Sequence, residues 1–252
     1  MQEAPDLRGN VAHCWALIPA AGSGSRAGPG QPKQYRLLAG QTLLMHTLAA
    51  FAAVPELTGV LVVIAPDAPA PELVPVPNAT LFVAPCGGST RAASVLNGLN
   101  AIAERGARAS DWVLVHDAAR CLITPELIQS LLNACRDDVV GGLLALPVSD
   151  TLKRADCDGR VTATLPRDAC WLAQTPQMFR LGALQQALEQ GAGSAAITDE
   201  ASAMEAQGQR PRLVLGSPEN FKVTYAADFV VAEAVLAARR ARQASQNKDA
   251  SS

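Results

Sequence analysis

The chain has 252 residues, 49 % hydrophobic and 17 % charged, with a formal net charge of −2 at pH 7. That length can bury a full core, as one large domain or two small ones. The charge balance excludes a general attraction to nucleic acid or to an anionic membrane, so any bound anion needs a local cluster of cations.

In chain order, HCWALIPA reads as a first strand and the glycine-rich stretch after it as a loop. QTLLMHTLAAFAAV has the period of a helix, and GVLVVIAP and TLFVAP read as the second and third strands. STRAASVLNGLNAIAER is a helix with Ser89 as the expected N-cap. DWVLVHDAA is a fourth strand. TPELIQSLLNACRD is a helix capped by Thr124 with Pro125 in its first position, and GGLLALPV is a fifth strand. Apolar strands alternating with helices predict an α/β fold: a mostly parallel sheet with helices on both faces.

After Val148 the rhythm breaks. SDTLKRADCDGRVTATLPRDACWLAQTPQMF is polar, rich in β-branched residues, and carries an Asp158-Gly159 turn signal. It predicts a β-arm at about residues 149–178 that projects from the sheet. TDEASAMEAQG then reads as a helix ending at Gly208, RLVLGS and NFKVT as short strands, and YAADFVVAEAVLAARRAR as the last helix. QASQNKDASS reads as a disordered tail. The division is one domain over residues 12–240, with flexible termini at 1–11 and 241–252.

The six cysteines are scattered without a C-x-x-C pair, which suits thiols in a reducing compartment rather than disulfides or zinc ligands. The first residues lack the apolar core of a signal sequence, and no apolar run reaches transmembrane length. A cytoplasmic protein with no membrane and no nucleic-acid partner is expected.

Four stretches carry chemistry. The loop AAGSGSRAGPGQPKQY offers backbone N–H groups to phosphate oxygens and two cations, Arg26 and Lys33, with no acid. Gly22, Gly24 and Gly28 are one residue too widely spaced for the dinucleotide fingerprint, and no acid follows where a ribose contact belongs. That disfavours an NAD-dependent dehydrogenase, and without G-K-[ST] the loop is not a Walker loop. In VLVHDAAR, an apolar strand delivers Asp117 to the ligand edge of the sheet, with Arg120 three residues on. An aspartate there can hold Mg²⁺ or simply cap a turn. With three histidines in the chain, a histidine metal cluster is disfavoured, and His116 reads as a packed or orienting residue. CGGSTRAASVLNGL places Arg91 in the first turn of a helix, suiting either a ligand-binding terminus or a well-capped surface helix. Lys222, in NFKVT, is by itself only a strand lysine.

Taken in order, PAAGSGSRAGPGQPKQY, GGSTRAASVLNGL, WVLVHDAAR, PVSDTLKR, QTPQMF, TDEASAME and ENFKVT closely resemble the 2-C-methyl-D-erythritol 4-phosphate cytidylyltransferases of non-mevalonate isoprenoid biosynthesis. The resemblance runs from about Trp15 to the last helix. It implies the nucleotidyltransferase version of the α/β fold, CTP as donor, Mg²⁺ as cofactor and a homodimer interlocked through the arm. It implies that Arg26 and Lys33 stabilise the transition state and that Asp117 serves metal and substrate. Arg120 and Thr151 would stand beside the methylerythritol phosphate. Arg167 and Lys222 would hold its phosphate, and Thr175 would be a further substrate contact. Ala20, Ala21, Gly22, Gly88 and Ser94 fall where the family binds the cytidine nucleotide. Cys121, after Arg120, stands where the family pattern leads one to expect proline. The segment SGS before Arg26 lacks the larger or extra basic residue of some members. The alternatives are a ribitol-5-phosphate cytidylyltransferase and a non-catalytic nucleotide sensor of the same fold.

Overall fold

The computed structural model describes residues 12–22, 32–69, 71 and 80–249. Of the termini expected to be flexible at 1–11 and 241–252, residues 1–11 and 250–252 lie outside the described residues. Strand β1 (Cys14–Pro19) is followed, beyond the loop, by a single 3₁₀ turn at Lys33–Tyr35 and a tiny hairpin of β2 (Leu37–Leu38) and β3 (Gln41–Thr42). Next come α1 (Leu43–Ala52), β4 (Gly59–Val63), β5 (Thr80–Ala84), α2 (Arg91–Glu104), β6 (Trp112–Val115), α3 (Pro125–Cys135) and β7 (Gly141–Pro147). The second half holds β8 (Leu152–Ala155), β9 (Val161–Leu165), β10 (Trp171–Arg180), α4 (Leu181–Gln190), α5 (Glu200–Ala206), β11 (Arg212–Leu215) and α6 (Ala226–Asp249).

The main sheet has seven strands in the order β11-β7-β10-β6-β1-β4-β5. Every pairing is parallel except those of β10, which runs antiparallel to both β6 and β7. Strand side chains alternate between the two faces, and that alternation sorts the core into two layers. Ala16, Ile18, Val60, Val62 and Leu114 pack with Leu48 and Phe51 of α1 and with Ile128 and Leu131 of α3. Trp15, Leu17, Leu61, Val63, Val113 and Val115 pack with Leu99 and Ile102 of α2 and with Leu184 of α4. Full burial stabilises each such side chain by about 2 kcal/mol, so central strands buried on both faces are continuously apolar. Gly98 lets α2 lie tight on the sheet: a Cβ there would stand 2.6 Å from Leu17 Cδ1 and 2.7 Å from Val63 Cγ2.

The predicted strands and helices of the first half are present, with small differences of bounds. Thr124 accepts from the Leu127 N–H and Pro125 opens α3, as expected. The cap of α2 is Thr90 rather than Ser89, because Thr90 has the extended backbone of a cap and its Oγ1 accepts from the Ala93 N–H at 3.0 Å.

The second half departs further. The arm predicted over 149–178 is shorter: β8 and β9 form a separate two-stranded hairpin, while β10 returns to the middle of the main sheet. QTPQMF is therefore core strand, with Gln174, Thr175, Gln177, Met178 and Phe179 buried. Helix α4 was not foreseen. NFKVT has no ladder among the described residues and runs as a loop, its Val223 N–H donating to the loop carbonyl Ala119 O at 2.8 Å instead of to a strand. The last helix continues to Asp249, past residue 240 where the tail was expected to begin.

Candidate active-site cleft

A cleft of about 520 Å³ opens at the carboxyl ends of β1 and β6. Its walls are Pro19 at the end of β1 with Ala20–Gly22 after it, Lys33 and Gln34, the Gly88–Thr90 turn with Arg91 and Ser94 of α2, Asp117–Ala119 after β6, and Lys222. Parallel strands end here, α2 begins here, and both features favour a ligand with negative charge.

The turn after β1 is held from below. Gln34 is buried, and its Nε2 donates to Ala20 O at 2.6 Å and to Gly22 O at 2.9 Å. The 3₁₀ turn therefore fixes Ala20, Ala21 and Gly22 and delivers Lys33, whose Nζ donates to Val223 O at 2.9 Å. On the opposite wall, Ser94 is buried and its hydroxyl accepts from the Gly88 N–H at 3.0 Å while donating to Thr90 O at 2.9 Å. A Cβ on Gly88 would stand 2.6 Å from the Ala93 Cβ, so the close turn at the mouth of α2 needs glycine.

Asp117 lies on the floor and is the only carboxylate among the lining residues described. Its Oδ1 accepts from Arg91 Nε at 2.8 Å and its Oδ2 from Lys222 Nζ at 2.7 Å. Burial pushes its pKa up, but Arg91 and Lys222 outweigh burial and hold it well below the usual carboxylate range. Arg91 is shared: NH1 and NH2 donate to the two oxygens of Glu200 at 2.6 and 3.0 Å. Burial alone would lower the Arg91 pKa, yet Glu200 and Asp117 raise it, so the guanidinium stays charged.

The backbone of Asp117 is fixed by a buried relay. Its N–H donates to Thr175 Oγ1 at 3.1 Å, and that hydroxyl lies 3.0 Å from His116 Nδ1. His116 Nε2 lies 3.2 Å from Arg120 O. A carbonyl only accepts, so Nε2 carries the proton and Nδ1 accepts from Thr175. Burial pushes the His116 pKa down to about 3, which keeps the ring neutral. His116 is thus an orienting residue, as expected.

The remaining candidates divide. Arg120 sits beside the floor, where NH1 donates to Asn220 O at 2.8 Å and NH2 to Ala173 O at 3.2 Å. Burial lowers its pKa, partly offset by Asp117. Thr175 faces inward, with its hydroxyl used within the relay. Thr151 and Arg167 are exposed at the base of the hairpin, outside the cleft lining, and Arg167 NH1 donates to Ser149 O. Arg26 lies outside the described residues. Sequence reasoning noted Arg91 without giving it a role and passed over Glu200 and Gln34. A signal existed for Arg91: a cation in the first turn of a helix opposes the macrodipole and needs carboxylate partners.

Among the described residues, no three His, Cys, Asp or Glu side chains converge as a metal-binding group. Of the described cleft-lining side chains, Asp117 is the carboxylate that could serve a hard divalent cation. Each of its oxygens keeps a lone pair beyond the one given to its cation partner. A cation of that kind takes one or two protein carboxylates and fills its shell from phosphates and water.

An α/β sheet with a cation-lined cleft across its carboxyl edge defines a class of proteins that hold phosphorylated ligands at that edge. The family model described as IspD, 2-C-methyl-D-erythritol 4-phosphate cytidylyltransferase, matches residues 14–238, and the chain belongs to that family. A cytidylyltransferase of that name from Burkholderia multivorans is 56 % identical over 225 residues, covering 88 % of this chain and 95 % of that protein. The bifunctional enzyme IspD/IspF of Albidiferax ferrireducens is 60 % identical over 238 residues, 94 % of this chain; the chain spans 56 % of that longer protein. A crystal structure of a 4-diphosphocytidyl-2C-methyl-D-erythritol synthase superposes with a TM-score of 0.78 at 38 % identity, covering 90 % of this chain and 100 % of that one.

Proposed function

We infer that the cleft transfers the cytidylyl group of CTP to 2-C-methyl-D-erythritol 4-phosphate, a step of isoprenoid biosynthesis. An oxygen of the 4-phosphate bonds to the α-phosphorus of CTP. The bond from that phosphorus to the bridging oxygen breaks, and pyrophosphate leaves with the electron pair. The product is 4-diphosphocytidyl-2-C-methyl-D-erythritol. The observation that carries the reading is the convergence of Lys33, Arg91 and Lys222 on a cleft whose described lining holds a single carboxylate, in a chain of this family.

The nucleophile is already an anion, so the chain need not supply a general base. Its task is to bring two anions together and to stabilise charge on the transferring and leaving groups. Ala20, Ala21, Gly22, Gly88 and Ser94 form the nucleotide side of the cleft, where backbone groups read a pyrimidine edge. Arg26 and Lys33 supply fixed positive charge to the triphosphate. Lys222 leaves Asp117 to meet the attacking phosphate, with Arg120 beside the polyol. Thr151, exposed at the base of the hairpin outside its own cleft, would stand beside the polyol of a neighbouring subunit, as Arg167 would. Asp117 would hold Mg²⁺ together with the triphosphate, and the ion would neutralise part of its charge. Thr175 acts from beneath, through the Asp117 backbone.

Arg167 is given the attacking phosphate of a neighbouring subunit. That role follows from a homodimer in which each hairpin reaches across the two-fold axis, and it is supported by the exposure of Arg167 outside its own cleft. A cytoplasmic enzyme without nucleic-acid or membrane partners fits the charge balance, and no described helix is long and apolar enough to cross a membrane.

The test is pyrophosphate release from each nucleoside triphosphate with each polyol phosphate. CTP with methylerythritol 4-phosphate is expected to turn over, and ATP and GTP are not. Equal turnover of ATP, or preference for ribitol 5-phosphate, would assign the cleft elsewhere.

A further inference from the structure

Glu200 is fully buried, yet it lies beside a solvent-open cleft, and it is joined to the cleft floor by the two hydrogen bonds it accepts from Arg91. A buried ion pair is weak evidence for stability, because apolar residues of similar volume often do as well. The surroundings show how much structure is committed to holding this one carboxylate. Helix α5 starts with a reciprocal cap: the Ser202 N–H donates to Asp199 Oδ1 at 2.9 Å, and the Asp199 N–H donates to Ser202 Oγ at 3.1 Å. Gln177, in the middle of β10, then grips that cap at both ends. Its Nε2 donates to Asp199 Oδ2 at 2.9 Å, and its Oε1 accepts from the Ala201 N–H at 2.7 Å. Two residues away on the same strand, Thr175 holds the Asp117 backbone. One buried strand segment therefore sets both the aspartate of the cleft and the helix that carries Glu200.

We propose that Glu200 is a positioning residue for the cleft: it occupies the terminal fork of Arg91 so that Asp117 receives only the Nε bond and keeps its second oxygen for exchange. The guanidinium has five N–H donors in a fixed plane. With one from each terminal nitrogen given to Glu200, the Nε edge is the one left for Asp117 Oδ1, and Oδ2 is left to Lys222. The four side chains sum to zero charge, two cations against two carboxylates. Remove the Glu200 charge and the fork turns to Asp117, the carboxylate that Arg91 already bonds. Asp117 then becomes the acceptor of a two-handed ion pair, and its second oxygen is no longer kept for exchange. The inference rests on the cleft being the CTP site.

The experiment compares wild type, Glu200→Gln, Asp117→Asn and the double variant by CTP affinity in calorimetry and by pyrophosphate release with methylerythritol 4-phosphate. Glu200→Gln is expected to lower kcat/KM by about ten- to a hundredfold, the scale for losing a group that orients a ligand-binding side chain. The double variant is expected to be no worse than Asp117→Asn alone, because Glu200 acts through Asp117. Losses that simply multiply in the double variant, or a Glu200→Gln protein within twofold of wild type, overturn the proposal. Should Glu200→Gln fail to fold, Arg91→Lys asks the same question, since lysine keeps the charge for Glu200 but has no second edge for Asp117. Arg91→Lys must then show the loss and must not add to Asp117→Asn, and wild-type behaviour overturns the idea. Failure of the functional reading has its own signature: wild type binds CTP without releasing pyrophosphate, and the calorimetric comparison still decides the role of Glu200. A wild type that neither binds nor uses CTP overturns both.

Discussion

The floor of the cleft and the β8–β9 hairpin are built on opposite terms. On the floor, Asp117, Arg91, Lys222 and Glu200 satisfy one another within a single chain, and Thr175 and His116 hold the backbone beneath them. The hairpin is exposed, forms its own two-stranded sheet, and leaves Val161 64 % exposed, with Leu172 on the adjoining strand 56 % exposed. Its bonds are local, such as the Asp156 Oδ1 acceptor for the Asp158 and Arg160 N–H groups at the turn. A lone hairpin is marginal in water, so a stable arm asks for something packed against it. The contrast teaches that the described ion pairs beneath the cleft close on one another, whereas the apolar residues of the hairpin region are left exposed by their own chain.

The contrast is broken most severely at Asp117. Asp117→Asn keeps the size but leaves Arg91 and Lys222 without their shared carboxylate. Turnover is expected to fall by roughly a hundredfold or more, the scale of losing one preorganised charged group. Tm should fall with it, and a scan of pyrophosphate release and thermal melting on the same sample checks both. The arm should separate those two readouts. Arg167→Ala is expected to reduce kcat by roughly a hundredfold while Tm stays unchanged, because the side chain is exposed. A matched loss of Tm would make Arg167 a structural residue of the hairpin.

The smallest effect concerns pH. His116 has a folded pKa of about 3 against an ordinary value of 6.5. Between those values the unfolded chain binds the extra proton, so stability rises with pH across that window and is lost as pH falls toward 3. Asp117, also depressed, adds to the loss at the acid end. His116→Gln should flatten the dependence of Tm on pH between about 6.5 and 4, and an unchanged slope would remove His116 from the account.

The parallel strands and their helices were legible because continuous apolar runs have few other readings. The strand β10 was not, because Gln174, Thr175 and Gln177 are polar residues buried in a central strand, each hydrogen bonded. Polar residues in that setting read as an exposed arm. Helix α4 has no side-chain cap at Arg180, so no start signal marked it. NFKVT alternates like a strand, but nothing in a sequence shows that its Val223 N–H goes to a loop carbonyl, Ala119 O, instead of to a ladder. At the site, residues on strand ends and turns, Asp117 and Lys33, were legible from spacing. Glu200 was not, since an acid in the first turn of a helix is also what ordinary helix electrostatics favours.

The proposal open to the most direct test is that the cleft takes Arg167 from the arm of a neighbouring subunit, while Asp117, Arg91, Lys222 and Glu200 pair within one chain. Lys33→Ala and Arg167→Ala, each inactive alone, are mixed and allowed to exchange subunits, with exchange confirmed by mass. If the arm acts across the dimer, each mixed dimer holds one site with both residues intact. Random exchange makes about half the dimers mixed, so about a quarter of wild-type activity should return for a two-fold dimer. Mixed dimers without any recovered activity would contradict the account, because an arm that serves its own subunit leaves every site with one defect.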